Sequence, residues 1–157
     1  MSLVQNHQVN VLVVDPNAQS RGLLHEALIA DGYGCRAVGD PESAIKSATE
    51  RTPNLLICEM NLGKQTGSEL VRSLRPLTDC AVIFISDSRD IDMVSHARKA
   101  GGSYYLSKPI DTDVLLELVD KALWMPHLVR RHVDSVAHQV KAPTFSIGTA
   151  AQNVNSQ

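Results

Sequence analysis

Short apolar runs alternate with amphipathic segments along most of the chain. Five runs of strand length cover residues 9–14, 33–38, 54–59, 81–85 and 103–106. Each is followed by a stretch whose apolar residues recur at helical spacing. Runs that are apolar throughout are typical of strands buried on both faces, as in a parallel sheet. The pattern therefore predicts five consecutive strand-helix units.

Local signals predict where the helices begin and end. Asp40 and Pro41 supply an N-cap and a first-turn proline for a helix through Glu50, and Thr66 with Glu69 forms a capping box. Spacing predicts the inward faces: Leu23, Leu24, Ala27 and Leu28 in a helix from Asn17 to about Asp31; Leu70, Val71 and Leu74 before Pro76; Ile91, Val94 and Ala97 before Gly101; and Val114, Leu115, Leu118, Val119 and Ala122 after the Asp111 cap.

Short connections between parallel strands require right-handed crossovers, which place helices on both faces of the sheet. For five strands we expect a doubly wound, flavodoxin-like α/β sheet with strand order 2-1-3-4-5. That order gathers the carboxyl ends of strands one, three, four and five around one crevice. Those ends carry Asp15, Glu59, Ser86 and Lys108. The sequence predicts that these four side chains meet.

The five units predict one domain over residues 9–125. Pro126 interrupts the last helix, and residues 126–141 form a second amphipathic segment, predicted as a C-terminal helical extension. Residues 142–157 are rich in Thr, Ser, Asn and Gln and are predicted to be disordered. Residues 1–8 are polar and predicted to be flexible.

Composition narrows the classes of partner and compartment. The formal charge of −2 indicates neither nucleic-acid binding nor binding to a membrane surface. We expect no membrane span and no secretion signal, because no apolar run is long enough and no charged-then-apolar leader is present. Cys35, Cys58 and Cys80 lack ligand spacing and are interpreted as buried free thiols of a cytoplasmic protein, without a zinc site.

Two acids, a hydroxyl and an ammonium at neighbouring strand ends are the parts needed for phosphoryl transfer onto a carboxylate. In such a site the acids hold Mg²⁺, one acid is the nucleophile, and the hydroxyl and the ammonium bind the transferred oxygens. Simpler interpretations stay open at this point. Asp15 could act only as a charge at a helix N-terminus, and Glu59 could be a solvated acid that ends a strand.

From residue 9 to about 124 the sequence resembles the receiver domains of two-component response regulators. The resemblance lies in residues 11–15, 53–62 and 83–86, and in the string Tyr104-Tyr105-Leu106-Ser107-Lys108-Pro109. The last string is the most specific, because Lys-Pro after an aromatic strand in the fifth unit rarely arises by chance.

The resemblance implies a CheY-like fold and a role for each of the matched residues. Ser86 and Tyr105 would form the hydroxyl and aromatic switch pair, and Lys108 would reach the acid cluster. The peptide before Pro109 would be cis. The resemblance also implies a signalling domain rather than an enzyme.

Two departures from the family pattern fall in the site. The first strand of the family ends in two consecutive acids, whereas Pro16 follows Asp15 here, and Glu59 stands at the position of the phosphorylated Asp. Losing one acid predicts weak or absent Mg²⁺ binding and no other cofactor, with Asp15, Glu59 and Asn61 left as weak candidate ligands. The extra methylene carries the Glu59 carboxylate about 1.5 Å further, toward an ion pair with Lys108.

These departures favour a pseudo-receiver that binds proteins independently of phosphorylation. We expect its partner to be a sensor kinase, an output protein or a second copy, bound through residues 89–125 or the C-terminal helix. Glu59 would either mimic the phosphorylated state, with Ser86 and Tyr105 turned inward, or hold an inactive-like site. One alternative is a working receiver phosphorylated by a histidine kinase. Another is a flavodoxin-like enzyme or nucleotide-binding domain, although the Gly-rich first turn is absent.

Overall fold

Strands and helices alternate without exception through the computed structural model, which describes residues 9–87 and 91–124. The strands are β1 (Asn10–Val14), β2 (Gly34–Val38), β3 (Leu55–Glu59), β4 (Ala81–Ser86) and β5 (Tyr104–Ser107). The helices are α1 (Ala18–Ala30), α2 (Pro41–Glu50), α3 (Gly67–Leu74), α4 (Ile91–Lys99) and α5 (Thr112–Trp124). The interpretations of residues 1–8, 126–141 and 142–157 lie outside the described residues.

The five strands form one parallel sheet in the order β2-β1-β3-β4-β5. This confirms the predicted topology. Every residue of β1 and β3 is buried, because both strands have a neighbour on each side and helices over each face. The edge strand β2 is only partly buried along its length.

Alternate residues of the central strands pack into two separate cores. Val11, Val13 and Ile57 face α1 and α5, where they join Leu24 and Val119. Their neighbours along the strands face the other three helices, in a cluster that contains Leu12, Val14, Leu56, Cys58, Leu70, Val71 and Phe84. Successive side chains of a strand point to opposite faces of the sheet, so a strand that is covered on both faces must be apolar at nearly every position.

Some predicted core positions are wrong. Leu23 is 45% exposed and Val114 is 41% exposed, although both were predicted to face inward. Each lies one residue before the buried stripe of its helix, and one residue rotates a side chain by about 100°. Cys58 is buried, but Cys35 and Cys80 are only partly buried; all three are free thiols. The side chain of Ile91 lies outside the described set.

Most predicted helix signals are confirmed. The Asp40 side chain accepts from the Ser43 amide, and both halves of the capping box between Thr66 and Glu69 are present. The box places the α3 N-terminus directly against the end of β3. There, Gly67 N–H donates to the Met60 carbonyl at 2.7 Å.

The contact between α3 and β3 leaves no room for a side chain at residue 67. A Cβ on Gly67 would overlap the Glu59 carbonyl oxygen and lie 3.1 Å from the Cys58 Sγ. The glycine therefore allows the backbone at the end of β3 to pack directly against the N-terminus of α3. This contact fixes the position from which the Glu59 side chain emerges.

We expect Gly67→Ala to lower the free energy of unfolding by about 1–3 kcal/mol, because the new methyl group meets backbone that has nowhere to move. Gly22→Ala is the matched control, since nothing lies within 4 Å of its Cβ and the residue is in the middle of α1. That variant should gain about 0.5–1 kcal/mol from helix propensity. Urea denaturation measures the change in the free energy of unfolding for both variants. Equal changes at residues 67 and 22 would contradict the packing argument.

Candidate functional site

The four strand ends named from the sequence meet at the carboxyl edge of the sheet. Asp15 follows β1, Glu59 and Ser86 are the last residues of β3 and β4, and Lys108 follows β5. Asp15 is fully buried, Glu59 is 5% exposed and Ser86 is 1% exposed. Two buried carboxylates on adjacent strands require a counter-charge within the fold.

Lys108 supplies that charge. Its Nζ lies 2.7 Å from Glu59 Oε1 and 3.0 Å from Asp15 Oδ2, and its side chain is 17% exposed. The ion pair between Glu59 and Lys108 predicted from the longer side chain is present. Asp15 shares the same ammonium, so three strand ends are joined by one cation.

The other oxygen of each carboxylate is held by the backbone. Asp15 Oδ1 accepts from the Asn17 amide at 3.0 Å, and Glu59 Oε2 accepts from the Asn61 amide at 2.9 Å. Asp15 Oδ2 has no hydrogen bond of good geometry and is stabilised by the charge of Lys108 alone. In both acids, therefore, each of the two carboxylate oxygens has a group that holds it in place.

Burial alone would lower the pKa of the Lys108 ammonium. The hydrogen bond to Glu59 and the negative charges of Glu59 and Asp15 outweigh the burial, and the net effect is a raised pKa. Lys108 is therefore charged at neutral pH, which is the form that both carboxylates need.

Backbone contacts hold the lysine and the first acid in place. The Lys108 amide donates to the Ser86 carbonyl at 2.8 Å, and the Lys108-Pro109 peptide is cis, as the resemblance implied. Arg21 Nη1 donates to the carbonyl of Asp15 at 2.8 Å and that of Pro16 at 3.4 Å. Sequence analysis missed Arg21, because a single arginine in an amphipathic helix gives no signal that it reaches back to the preceding loop.

The remaining predicted site residues lie near the crevice but differ in what they contact. The Asn61 residue is exposed, and its side-chain oxygen accepts from the Gly63 amide at 3.1 Å, so that oxygen closes a turn. Tyr105 is partly buried and packs against the core cluster on the α2, α3 and α4 side of the sheet. Ser86 is paired in register with Ser107. The functional roles assigned to these residues stay predictions.

Two of the four side chains at this edge of the sheet are acids, Asp15 and Glu59. Within residues 9–87 and 91–124, no group of three His, Cys, Asp or Glu side chains is placed to hold a metal ion. Mg²⁺ favours octahedral oxygen coordination and is usually bound through clustered carboxylates. Here Pro16 replaces one acid, and Lys108 contacts an oxygen of each remaining carboxylate.

A family model for the response regulator receiver domain matches residues 11–120 of the chain. The chain belongs to this family. Receiver domains act in two-component signalling, which is therefore the functional class of this domain. None of the helices in the described part of the chain is long and apolar enough to cross a lipid bilayer.

Relatives of this receiver include longer regulatory proteins. The regulatory protein VirG of Agrobacterium fabrum is 31% identical over 127 residues, which are 80% of this chain and 50% of VirG. The DNA-binding transcriptional regulator NtrC of Proteus hauseri is 28% identical over 115 residues, which are 73% of this chain and 24% of NtrC. The chain spans half or less of the length of these curated relatives.

Solved receiver structures share the fold. A two-component response regulator from Clostridium difficile superposes with a TM-score of 0.72 at 23% identity, covering 76% of this chain and 98% of that one. The receiver domain of NtrX from Brucella abortus gives a TM-score of 0.69 at 25% identity, covering 73% of this chain and 98% of that one. The CheY-like, flavodoxin-like architecture expected from the sequence is confirmed.

We expect Lys108→Met to lower the free energy of unfolding at pH 7 by about 3 kcal/mol, because it leaves two buried carboxylates without a cation. Since the folded-state pKa of Lys108 is raised, the stability that it contributes is complete below its ordinary value of 10.5 and is lost as the pH rises through the folded value. The gap between wild type and variant should therefore close above pH 10.5.

Urea denaturation at a series of pH values measures this gap. Lys121→Met is the matched control, because its partner Glu117 is exposed and the pair is of the i,i+4 helical type. That change should have little effect at any pH. A Lys108→Met effect as small as that of the control would show that the buried contact contributes nothing.

Proposed function

We propose that this receiver domain is a pseudo-receiver, a protein-interaction module that works independently of phosphorylation. The contact between Glu59 and Lys108 carries the proposal. In phosphoryl transfer to a carboxylate, the acceptor oxygen attacks and a nearby cation binds the incoming oxygens. Here the acceptor oxygen and the cation bind each other at 2.7 Å. The groups that would react are already paired.

Weak or absent binding of Mg²⁺ is the second part of the proposal. The two remaining acids share an ammonium that is covalently part of the chain, so a metal would have to displace it. Mg²⁺ also gives up its water reluctantly and needs well-placed oxygen ligands. Asn61 does not offer its side-chain oxygen, since that atom is bound in a local turn.

The switch residues favour one form of this module. Ser86 is buried, and Tyr105 is packed against the sheet rather than extended into solvent. This arrangement supports the version in which Glu59 stands in for a phosphorylated acceptor. The paired carboxylate of Glu59 then holds Lys108 permanently, where a phosphoryl group would hold it only for a time.

The partner in this proposal is a protein, either a sensor kinase or an output protein, in the cytoplasm. VirG and NtrC are much longer than this chain, which supports an output function that lies outside the matched region. The proposed contact surface is formed by α4, β5 and α5, where Val114 is exposed. A second copy bound through the same surface is the other form of the proposal. We assign the module no enzymatic activity and no binding to nucleic acid or membrane.

Incubation with a small phosphodonor and Mg²⁺ tests the proposal directly. We expect the intact mass of the wild-type protein to stay unchanged, because Glu59 is bound to Lys108 and one metal-holding acid is missing. The double variant Pro16→Asp with Glu59→Asp is the matched control, since it restores both acids of the family pattern. That variant should gain one phosphoryl group. A stoichiometric gain by the wild-type protein would establish a working receiver instead.

Thermal melting with and without Mg²⁺ tests the role of Lys108 as the resident cation. At about 10 mM Mg²⁺, a site with a Kd of about 1 mM would add about 1.4 kcal/mol, or a few degrees in Tm. We expect no shift for the wild-type protein. Lys108→Met should gain such a shift, because Asp15 and Glu59 then face each other without a cation, whereas Lys121→Met should not. A shift in the wild-type protein would contradict the proposed lack of a metal site.

A further inference from the structure

A second cluster of polar groups lies at the opposite edge of the sheet, far from the four strand ends. It is formed by Tyr33 before β2 and by Asp120 and Trp124 near the end of α5. Burial raises the pKa of the Tyr33 hydroxyl, the Trp124 indole lowers it, and the charges of Asp120 and Asp31 raise it again. The three side chains therefore lie close to one another, and we call them the α5 corner.

The α5 corner is incomplete within the described part of the chain. Asp120 Oδ1 is shut off from water and has no hydrogen-bond partner, whereas the Tyr33 hydroxyl has the Trp124 indole beside it. A buried carboxylate oxygen without a donor is strongly unfavourable. At the same place the large apolar ring of Trp124 is 42% exposed. The corner therefore lacks both a hydrogen-bond donor for Asp120 and an apolar partner that covers Trp124.

The surfaces of α1 and α5, the two helices beside the α5 corner, are acidic and apolar. Helices α1 and α5, with the C-cap of α1, carry five acids, Glu26, Asp31, Asp113, Glu117 and Asp120, against the two bases Arg21 and Lys121. Both bases are engaged, Arg21 with the backbone near the site and Lys121 with Glu117. Four of the six large apolar side chains exposed among the described residues also lie on these two helices: Leu23, Ile29, Val114 and Trp124.

The chain itself supplies a segment of matching chemistry. Residues 126–141 begin two positions after Trp124 and carry Arg130, Arg131 and Lys141 against a single acid, Asp134. Their apolar residues Leu128, Val129, Val133, Val136 and Val140 recur at intervals that place most of them on one side of a helix. The short tether gives this segment a high effective concentration at the α5 corner.

We propose that residues 126–141 dock on the α5 corner of the same chain, where Arg130 or Arg131 pairs with Asp120 and the apolar residues cover Trp124. An arginine is the appropriate donor, because its guanidinium binds a carboxylate and stacks on an aromatic ring with the same planar group. The docked segment covers part of the α1 and α5 surface and competes there with any protein that binds it. This inference does not depend on the chemistry of the Lys108 site.

Trp124 is the only tryptophan of the chain, so its fluorescence reports this contact directly. We expect the full-length double variant Arg130→Glu with Arg131→Glu to show red-shifted emission. The acrylamide quenching constant should rise by about twofold, since the indole changes from partly covered to open. Arg72→Glu with Lys99→Glu is the matched control, because both residues are exposed on α3 and α4. The control should leave emission and quenching unchanged.

Charge exchange tests the specific pairing. Adding Asp120→Lys to the variant with Glu at 130 and 131 should restore the wild-type emission and quenching, whereas Asp120→Lys alone should expose Trp124. Circular dichroism melts confirm that each variant is folded. Identical quenching in the wild-type protein and the double variant would overturn the proposal. Quenching that falls as protein concentration rises, with a dimer mass by light scattering, would also overturn it in favour of a second copy.

Discussion

Two buried carboxylates at the ends of adjacent strands are the constraint that shapes the crevice. Asp15 and Glu59 are almost wholly removed from water, and without a cation between them their repulsion would be severe. Lys108 reaches both from the far side of β4, at 3.0 and 2.7 Å. One ammonium therefore joins β1 and β3 to the turn that follows β5. The arrangement of the carboxyl edge of the sheet follows from this single contact.

A resident ammonium and a divalent metal solve the same electrostatic problem in different ways. A metal exchanges with solvent and brings open coordination positions, so a site that holds it can bind a further anion. The Lys108 ammonium is tethered to the chain and already binds two carboxylates. The length of Glu59 matters here, because its extra methylene shortens the gap to Lys108. Under the proposal of a pseudo-receiver, Pro16 and Glu59 act together: Pro16 takes the place of one metal-holding acid, and Glu59 brings its carboxylate to the Lys108 ammonium.

The fold was predictable because its signals are local, and the ion pair was predictable because it follows from topology. Apolar runs, caps and short connections specify five strand-helix units, and the strand order then brings Glu59 and Lys108 to one edge. Leu23 and Val114 were misplaced because the exact rotation of a helix depends on what it packs against. Arg21 was missed for a related reason: its contact with the Asp15 carbonyl depends on how α1 lies beside β1.

Family membership and chemical competence depend on different residues. The match over residues 11–120 and the shared fold arise from apolar patterning spread along the whole domain, which tolerates identities of 23–31% to relatives. Phosphoryl acceptance depends on a few oxygen atoms placed within fractions of an ångström. One missing acid and one added methylene leave the patterning intact while they change those atoms. In the proposed pseudo-receiver, the fold therefore persists for the surfaces that it presents to partners, while the chemistry at its strand ends has changed.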